Sequence, residues 1–277
     1  MSLTVGIGSF GTIGRQVARL LDAGGIPGLS LALVSAQDRA RAAERMADFH
    51  RPVPVVDLAD LAACDVVLEA APAVVFEAIA APAIEAGRIF LPTSVGALLP
   101  RRPLVERAAE TGARIIVPTG ALLGLDAVRA AAEGTIHTVA MVTRKPPRGL
   151  VGAPYLVENA ISVEGLSAPK LVFEGSVRAG AAGFPANVNV AAALSLACAG
   201  PRLADFDTWP DRITLQIWAD PGVDRNTHHI TVDSDSARFS LDIATIPTEE
   251  NPRTGKITAL SVIACLRSLT QTLKVGT

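Results

Sequence analysis

Short apolar runs alternate with helical patterns along the first part of the chain. One β-type run opens the sequence, and further strands are predicted at 29–34, 65–69, 89–91 and 113–117. After the first strand, Ile13, Val17, Leu20 and Leu21 form one apolar helix face, so the helix begins near Thr12 and ends at Gly24. Strands that alternate with helices predict a parallel sheet covered by helices on both faces.

From about residue 122 the pattern changes, because β-type runs follow one another without helices between them. Strands are predicted at 136–143, 213–219, 228–233 and 238–246, and helices at 187–198 and 256–273. The fold class is therefore α/β, with an N-terminal Rossmann domain (a doubly wound parallel sheet) over 1–121. An α+β domain with a mixed or antiparallel sheet follows over 122–255, and we expect helix 256–273 to pack back onto the first domain.

Composition excludes several classes of protein. The 277 residues carry a net charge of −2 without a long basic run, which argues against nucleic acid as a partner. No apolar stretch reaches the roughly 18 to 20 residues that cross a bilayer, and no secretory signal is evident, so we expect no membrane association. Cys64, Cys198 and Cys265 lack metal-binding spacing, which predicts reduced thiols in a cytoplasmic protein and no metal site.

The turn after the first strand is rich in glycine, in the run Gly6-x-Gly8-x-x-Gly11-x-x-Gly14. Glycines at a strand-to-helix turn let the backbone approach a pyrophosphate, whose charge the N–H groups of the helix start can hold. The helix start places Gly11 at the pyrophosphate and Gly14 against the strand. This turn predicts a nicotinamide or flavin cofactor, and a merely flexible loop is the alternative. The expected contacts are Gly8, Ser9, Phe10, Gly11, Thr12 and Ile13.

Cofactor choice is expected at the end of the second strand, where no acid follows directly. Ser35 and either Arg39 or Arg41 could bind a 2′-phosphate, whereas Asp38 could bind the ribose of NAD or cap the next helix. We therefore expect use of both NAD and NADP. After the strand predicted at 65–69, the side chain of Ala70 is small enough to leave room for a ribose. Close packing between helix and strand is the alternative explanation for a small residue there.

Several longer blocks of the sequence resemble L-aspartate dehydrogenases, in matching order over nearly the whole chain. They are Pro118-Thr119-Gly120-Ala121-Leu122-Leu123-Gly124-Leu125-Asp126, Thr143-Arg144-Lys145-Pro146-Pro147, Phe173-Glu174-Gly175-Ser176, Phe184-Pro185-Ala186-Asn187-Val188-Asn189-Val190-Ala191-Ala192, Arg225-Asn226-Thr227-His228 and Glu249-Glu250-Asn251-Pro252. The resemblance implies oxidative deamination of L-aspartate with NAD or NADP, through iminoaspartate, to oxaloacetate and ammonia. In some bacteria iminoaspartate feeds NAD biosynthesis. The resemblance also implies that Ala121 and Asn187 contact the cofactor and that His228 is catalytic.

The chemistry independently requires a group that exchanges protons near neutral pH, and histidine fits best. Of the four histidines, His50 and His137 lie outside any motif. His228 and His229 are neighbours on a predicted strand, so only one of them can face an active-site cleft, which we expect between the domains. Motif spacing favours His228, and a surface or core histidine is the alternative.

Two substrate carboxylates require cations or neutral donors. Lys145 and Arg225 are the candidate cations, each with a solvated loop position as the alternative, and Asn187 and Asn189 are the candidate neutral donors. Asn187 could also cap helix 187–198. We expect a homodimer formed through the second domain. A reductase similar to dihydrodipicolinate reductase and a non-catalytic NAD(P)-binding sensor are the competing functions.

Overall fold

A computed structural model describes residues 2–185, 188–200, 202–250 and 254–276 of the chain. The chain divides into two compact units, each with its own sheet. The first unit is Met1–Gly120 with Thr258–Val275, and the second is Ala121–Ile257 with Gly276–Thr277. Among the described residues, every helix is too short or too polar to cross a membrane.

The first unit contains a six-stranded parallel sheet. Its strands are β1 (Leu3–Gly8), β2 (Leu29–Ser35), β3 (Val55–Val56), β4 (Val66–Glu69), β5 (Ile89–Pro92) and β6 (Arg114–Ile115). The spatial order is β3-β2-β1-β4-β5-β6, so the connections run one way from β1 and then reverse at β4. This confirms the doubly wound arrangement, in which a crevice opens at the carboxyl ends of β1 and β4. The two-residue β3 was not predicted, and β6 is shorter than expected.

Five helices belong to this part of the chain: α1 (Thr12–Asp22), α2 (Arg39–Arg45), α3 (Phe76–Glu85), α4 (Val95–Leu98) and α5 (Arg102–Thr111). Helix α1 begins at the predicted residue, and Val17 and Leu21 of its apolar face are buried. Left-handed glycines follow the ends of two helices, with φ of +66° at Gly24 after α1 and +76° at Gly112 after α5.

The second unit contains a five-stranded sheet in the order β11-β10-β7-β9-β8. Its strands are β7 (Ile136–Lys145), β8 (Lys170–Ser176), β9 (Thr214–Ala219), β10 (Thr227–Ser234) and β11 (Arg238–Ala244). Strand β7 pairs antiparallel with β10 and parallel with β9, which confirms a mixed sheet. The sequence did not predict β8. This strand carries lysine, glutamate and glycine, and its register shifts between Leu171 and Phe173, which interrupts the alternation that identifies a strand.

The helices of this unit are α6 (Leu125–Ala132), α7 (Pro154–Glu158), α8 (Val177–Gly183), α9 (Asn189–Ala199) and α10 (Trp209–Arg212). Helix α9 is almost entirely buried, in keeping with its run of alanine and leucine. Its first helical residue is Asn189, with Val188 at the N-cap position. The predicted start, Asn187, lies outside the described residues.

The last helix, α11 (Lys256–Ser268), ends five residues before the predicted end at residue 273. Its final turn tightens, because the N–H of Leu269 bonds to the carbonyl of Leu266 at 3.1 Å. Two of its side chains, Val262 and Leu266, are fully buried in the same hydrophobic cluster as Val5 and Ile7 of β1. Most of α11 is therefore part of the core of the first unit.

Candidate active site

The glycine turn between β1 and α1 is shaped by steric contact. A Cβ on Gly14 would lie 2.1 Å from the carbonyl oxygen of Ser9, so only glycine allows the helix this close to the turn. Ser9 itself has a positive φ of 89°, which is uncommon for a residue with a side chain. Gly11 is exposed and caps α1 without a side-chain hydrogen bond. Because glycine has no side chain, Gly11 does not cap the N–H groups of the first turn of α1. An anion site requires such uncapped N–H groups.

A groove of about 190 Å³ lies beside this turn. It is lined by Ser9, Phe10, Gly11, Ala36, Gln37, Asp38, Arg41, Ala42 and Arg45. Arg41 and Arg45 lie one turn apart on α2, and Arg45 Nη1 donates to the carbonyl of Phe10 at 3.2 Å. Two cations beside a turn that can bind a pyrophosphate suit a dinucleotide cofactor. They also suit NADP, which carries an additional phosphate on its ribose. Sequence reasoning missed Arg45, although its spacing from Arg41 on a helix after the second strand was the available signal.

The other residues expected to choose the cofactor are engaged within the protein. Arg39 forms an ion pair with Asp57. Asp38 caps α2, since its carboxylate accepts from the N–H of Arg41 at 2.9 Å. Ser35 is only 4% exposed, and its carbonyl accepts from the N–H of Ser9 at 2.9 Å. Ser35 therefore supports the glycine turn through its backbone.

A buried carboxylate that the sequence did not single out lies at the end of β4. Glu69 is fully buried, and its carboxylate accepts from the N–H groups of Ala71, Thr93 and Ser94 and from the Ser94 hydroxyl at 2.9–3.1 Å. Burial raises the pKa of Glu69, and the four hydrogen bonds oppose that effect. The available signal was a charged residue that ends an otherwise apolar strand. Glu69 joins the loops after β4 and β5, and Ala70 is the first residue of that β4 loop.

In the second unit, three polar side chains lie together on the covered face of the sheet. His228, Thr143 and Lys145 are each at most 4% exposed. His228 is directly opposite Thr143 in the β7–β10 pairing, and Thr143 Oγ1 lies 3.1 Å from His228 Nδ1. Lys145 follows two residues later on β7, hence on the same face. The solvated loop position considered for Lys145 is wrong, because this residue ends a strand and is buried.

Burial shifts the pKa of both basic groups, and the charge of Lys145 also acts on His228. Burial lowers the pKa of Lys145 to about 8. Burial, and secondly the positive charge of Lys145, lower the pKa of His228 to about 3. His228 is therefore neutral at physiological pH in the absence of substrate, and a neutral imidazole can accept a proton.

The remaining candidates are more exposed. His229, on the opposite face from His228, pairs with Asp242 at 2.6 Å. Arg225 is 38% exposed at its side chain and pairs with Asp224 at 2.7 Å. Asn189 is an exposed first residue of α9, and Ala121 is partly buried in the turn that opens the second unit. Among the described residues, no group of three metal-ligating side chains is present.

Comparisons with known proteins place the chain in a family. Residues 126–269 match the C-terminal domain of aspartate dehydrogenase, and residues 10–118 match the NAD-binding domain of homoserine dehydrogenase. An NAD-binding domain followed by this C-terminal domain defines an NAD(P)-dependent oxidoreductase. The chain belongs to the L-aspartate dehydrogenase family, and its cofactor is NAD or NADP.

Full-length relatives support this assignment. The chain is 51% identical to L-aspartate dehydrogenase of Bradyrhizobium diazoefficiens, over 99% of this chain and 94% of the relative. It is 48% identical to L-aspartate dehydrogenase 3 of Bordetella bronchiseptica, over 99% and 98% of the two chains. The crystal structure of aspartate dehydrogenase from Thermotoga maritima has the same fold, with a TM-score of 0.71 over the full length of both chains and 23% identity.

Proposed function

We propose that this L-aspartate dehydrogenase deaminates its substrate through iminoaspartate, with His228 as general acid and base. The nicotinamide, when bound, accepts the hydride from Cα of aspartate. The amine must lose a proton as the C=N bond forms, and water must then add to the imine before ammonia leaves and oxaloacetate remains. A single group that takes up and returns protons serves each of these steps.

The observation that carries the proposal is the buried position of His228 beside Lys145. With a pKa of about 3, His228 is unprotonated but a weak base as long as the positive charge of Lys145 is not offset. A substrate carboxylate near Lys145 would offset the lysine charge and make the imidazolium more favourable. Substrate binding would thus bring His228 closer to the range in which it can exchange protons.

Lys145 is the proposed partner of a substrate carboxylate. It is 4% exposed, and its side chain is already buried before any ligand arrives. A bound carboxylate would stabilise the charged amine, which burial alone disfavours. Arg225, Asn189 and Asn187 are further proposed donors for the second carboxylate. Arg225 would have to exchange Asp224 for the substrate.

The proposed cofactor contacts combine the glycine turn with five separate positions. They are Gly8, Ser9, Phe10, Gly11, Thr12, Ile13, Ser35, Arg39, Ala70, Ala121 and Asn187. Two observations support the contacts proposed near the pyrophosphate and the adenosine ribose. The N-cap of α1, Gly11, is exposed, and Arg41 and Arg45 line the adjacent groove.

We further propose a homodimer that works in the cytoplasm and supplies iminoaspartate for NAD biosynthesis. Alternate side chains of β10, such as His229 and Thr231, are exposed and offer a sheet face for a second subunit. The free thiols Cys64 and Cys198, both buried, suit a reducing compartment. Sedimentation velocity at micromolar protein tests the dimer, and a single monomeric species would contradict it.

The decisive experiment compares the adjacent histidines. His228→Ala should lower turnover of L-aspartate by roughly 100- to 10,000-fold, the usual cost of losing a general acid–base group, with little change in NADH affinity. His229→Ala is the matched control, because it lies one residue away on the other face, and its turnover should stay near wild type. Steady-state rates and NADH fluorescence titrations measure both quantities. Near-normal turnover of His228→Ala would favour a different base or the sensor function.

A scan of amino acids with both cofactors tests the substrate. L-aspartate should be oxidised with NAD and with NADP, and faster turnover of glutamate or alanine would contradict the assignment. The competing reductase similar to dihydrodipicolinate reductase would instead reduce a cyclic imine substrate and leave aspartate unchanged.

A further inference from the structure

Thr143 contacts His228 through a hydrogen bond that spans two strands. The two residues are directly opposite in the antiparallel pairing of β7 and β10, and each is 3% exposed. The Oγ1–Nδ1 distance of 3.1 Å lies within hydrogen-bonding range. Because both ends of this contact lie within a sheet, the backbone fixes where the hydroxyl meets the imidazole.

The surroundings of the Thr143 hydroxyl are otherwise apolar. A cavity of about 10 Å³ beside it is lined chiefly by aliphatic and aromatic side chains. They are Met141, Phe184, Val188, Ala191, Leu215 and Ile217, together with Gly180. Lys145 is the charged group that shifts the pKa of His228. Among the described residues, no carboxylate contributes to the pKa of His228. The orienting partner of this histidine is thus a neutral hydroxyl.

A neutral partner has a specific chemical consequence. If the hydroxyl oxygen accepts from Nδ1–H, the imidazole keeps that proton in both its neutral and its charged form, and Nε2 is the nitrogen that gains and loses a proton. A carboxylate in the same place would hold the tautomer too, but it would also neutralise Lys145. A hydroxyl adds no negative charge beside Lys145.

We propose that Thr143 is a positioning residue that fixes the tautomer of His228, so that Nε2 exchanges protons with the substrate. The inference rests on the proposed role of His228 and adds to it. Thr143 acts only through the imidazole, and neither cofactor affinity nor substrate charge recognition depends on its hydroxyl.

Thr143→Val tests the proposal, because valine matches the shape of threonine and lacks the oxygen. Turnover should fall by about 10- to 100-fold, the range seen when the hydrogen-bond partner of a metal-bound histidine is removed. NADH affinity should stay unchanged. Thr143→Ser retains the oxygen and should recover most of the activity. Thr138→Val is the matched control, since Thr138 lies on the same strand and is exposed.

The pH profile of kcat separates positioning from mere packing. Without an acceptor at Nδ1–H the imidazolium is less stable, so the acid limb of the profile should move to lower pH by about 0.5 to 1 unit. Thr143→Ser should keep the wild-type limb. If Thr143→Val does not fold, Thr143→Ser against Thr143→Ala makes the same comparison.

The outcomes distinguish this inference from the proposed function. Wild-type turnover and an unmoved acid limb in Thr143→Val, with a large loss in His228→Ala, would overturn the role of Thr143 and leave that of His228 intact. Full activity of His228→Ala would overturn both. A loss in Thr143→Ser as large as in Thr143→Val would also reject the hydroxyl as the orienting group.

Discussion

The two sheets of this enzyme contribute to function by different physical means. In the first unit the candidate site is built from the backbone of a turn whose glycines, such as Gly11 and Gly14, have no side chains. The cations of this site, Arg41 and Arg45, line an adjacent groove. In the second unit the candidate site is built from ionisable side chains that are buried on one face of a mixed sheet, such as Lys145 and His228. Steric substitutions should therefore damage the first site, and changes of charge should damage the second.

The largest expected effect on stability concerns the buried amine of Lys145. In the folded protein its pKa is about 8, whereas the ordinary value is 10.5. Between these pH values the unfolded chain binds the proton and the folded chain does not, so this group makes the free energy of unfolding rise with pH. The rise amounts to about 3 kcal/mol, from a shift of about 2.5 units.

Lys145→Met should abolish that rise. The measurement is urea unfolding of both proteins from pH 7 to 10.5, and the difference between the two curves isolates the lysine from other groups that titrate. A stability difference that does not change with pH would mean that Lys145 keeps its ordinary pKa.

A smaller effect is expected for Gly14→Ala in the first site. The added Cβ would meet the carbonyl of Ser9 at 2.1 Å, so the turn must shift, at a cost of about 1–3 kcal/mol in stability. NADH should bind at least about tenfold more weakly, equivalent to about 1.4 kcal/mol. Gly149→Ala is the control, because nothing lies within 4 Å of its Cβ position. Thermal melts and NADH titrations measure both effects, and wild-type NADH affinity in Gly14→Ala would contradict the steric argument.

The smallest effect concerns the choice between NAD and NADP. Arg41→Ala and Arg39→Ala should each weaken NADPH more than NADH, since only NADPH carries the extra phosphate. Arg41→Ala should have the larger effect, about 3- to 10-fold, because Arg41 lines the groove while Arg39 pairs with Asp57. Equal losses for the two cofactors in both variants would show that neither arginine reads the phosphate.

The sequence predicted the first unit more fully than the second, for physical reasons. A parallel sheet covered on both faces leaves continuous apolar runs, and the apolar face of α1 located Thr12 as the start of the helix. Strand β8 escaped prediction because only some of its side chains are buried and its register shifts. The local pattern of apolar and polar residues does not show which distant parts of the chain come into contact.

The same limit applies to the candidate sites. Strand alternation correctly predicted that His228 and His229 lie on opposite faces. It could not show that the end of β7 is covered, so the burial of Lys145 was not foreseen. The ion pair of Arg39 likewise depends on Asp57, eighteen residues further along the chain.

The buried carboxylate of Glu69 ties two loops of the first unit to one side chain. It holds the loop after β4 through Ala71 and the loop after β5 through Thr93 and Ser94. Neither loop can swing away from the sheet without removing hydrogen bonds from a carboxyl group that has no access to water. The two loops should therefore open together or not at all, so that slow amide hydrogen exchange would report one shared opening event in place of two independent ones.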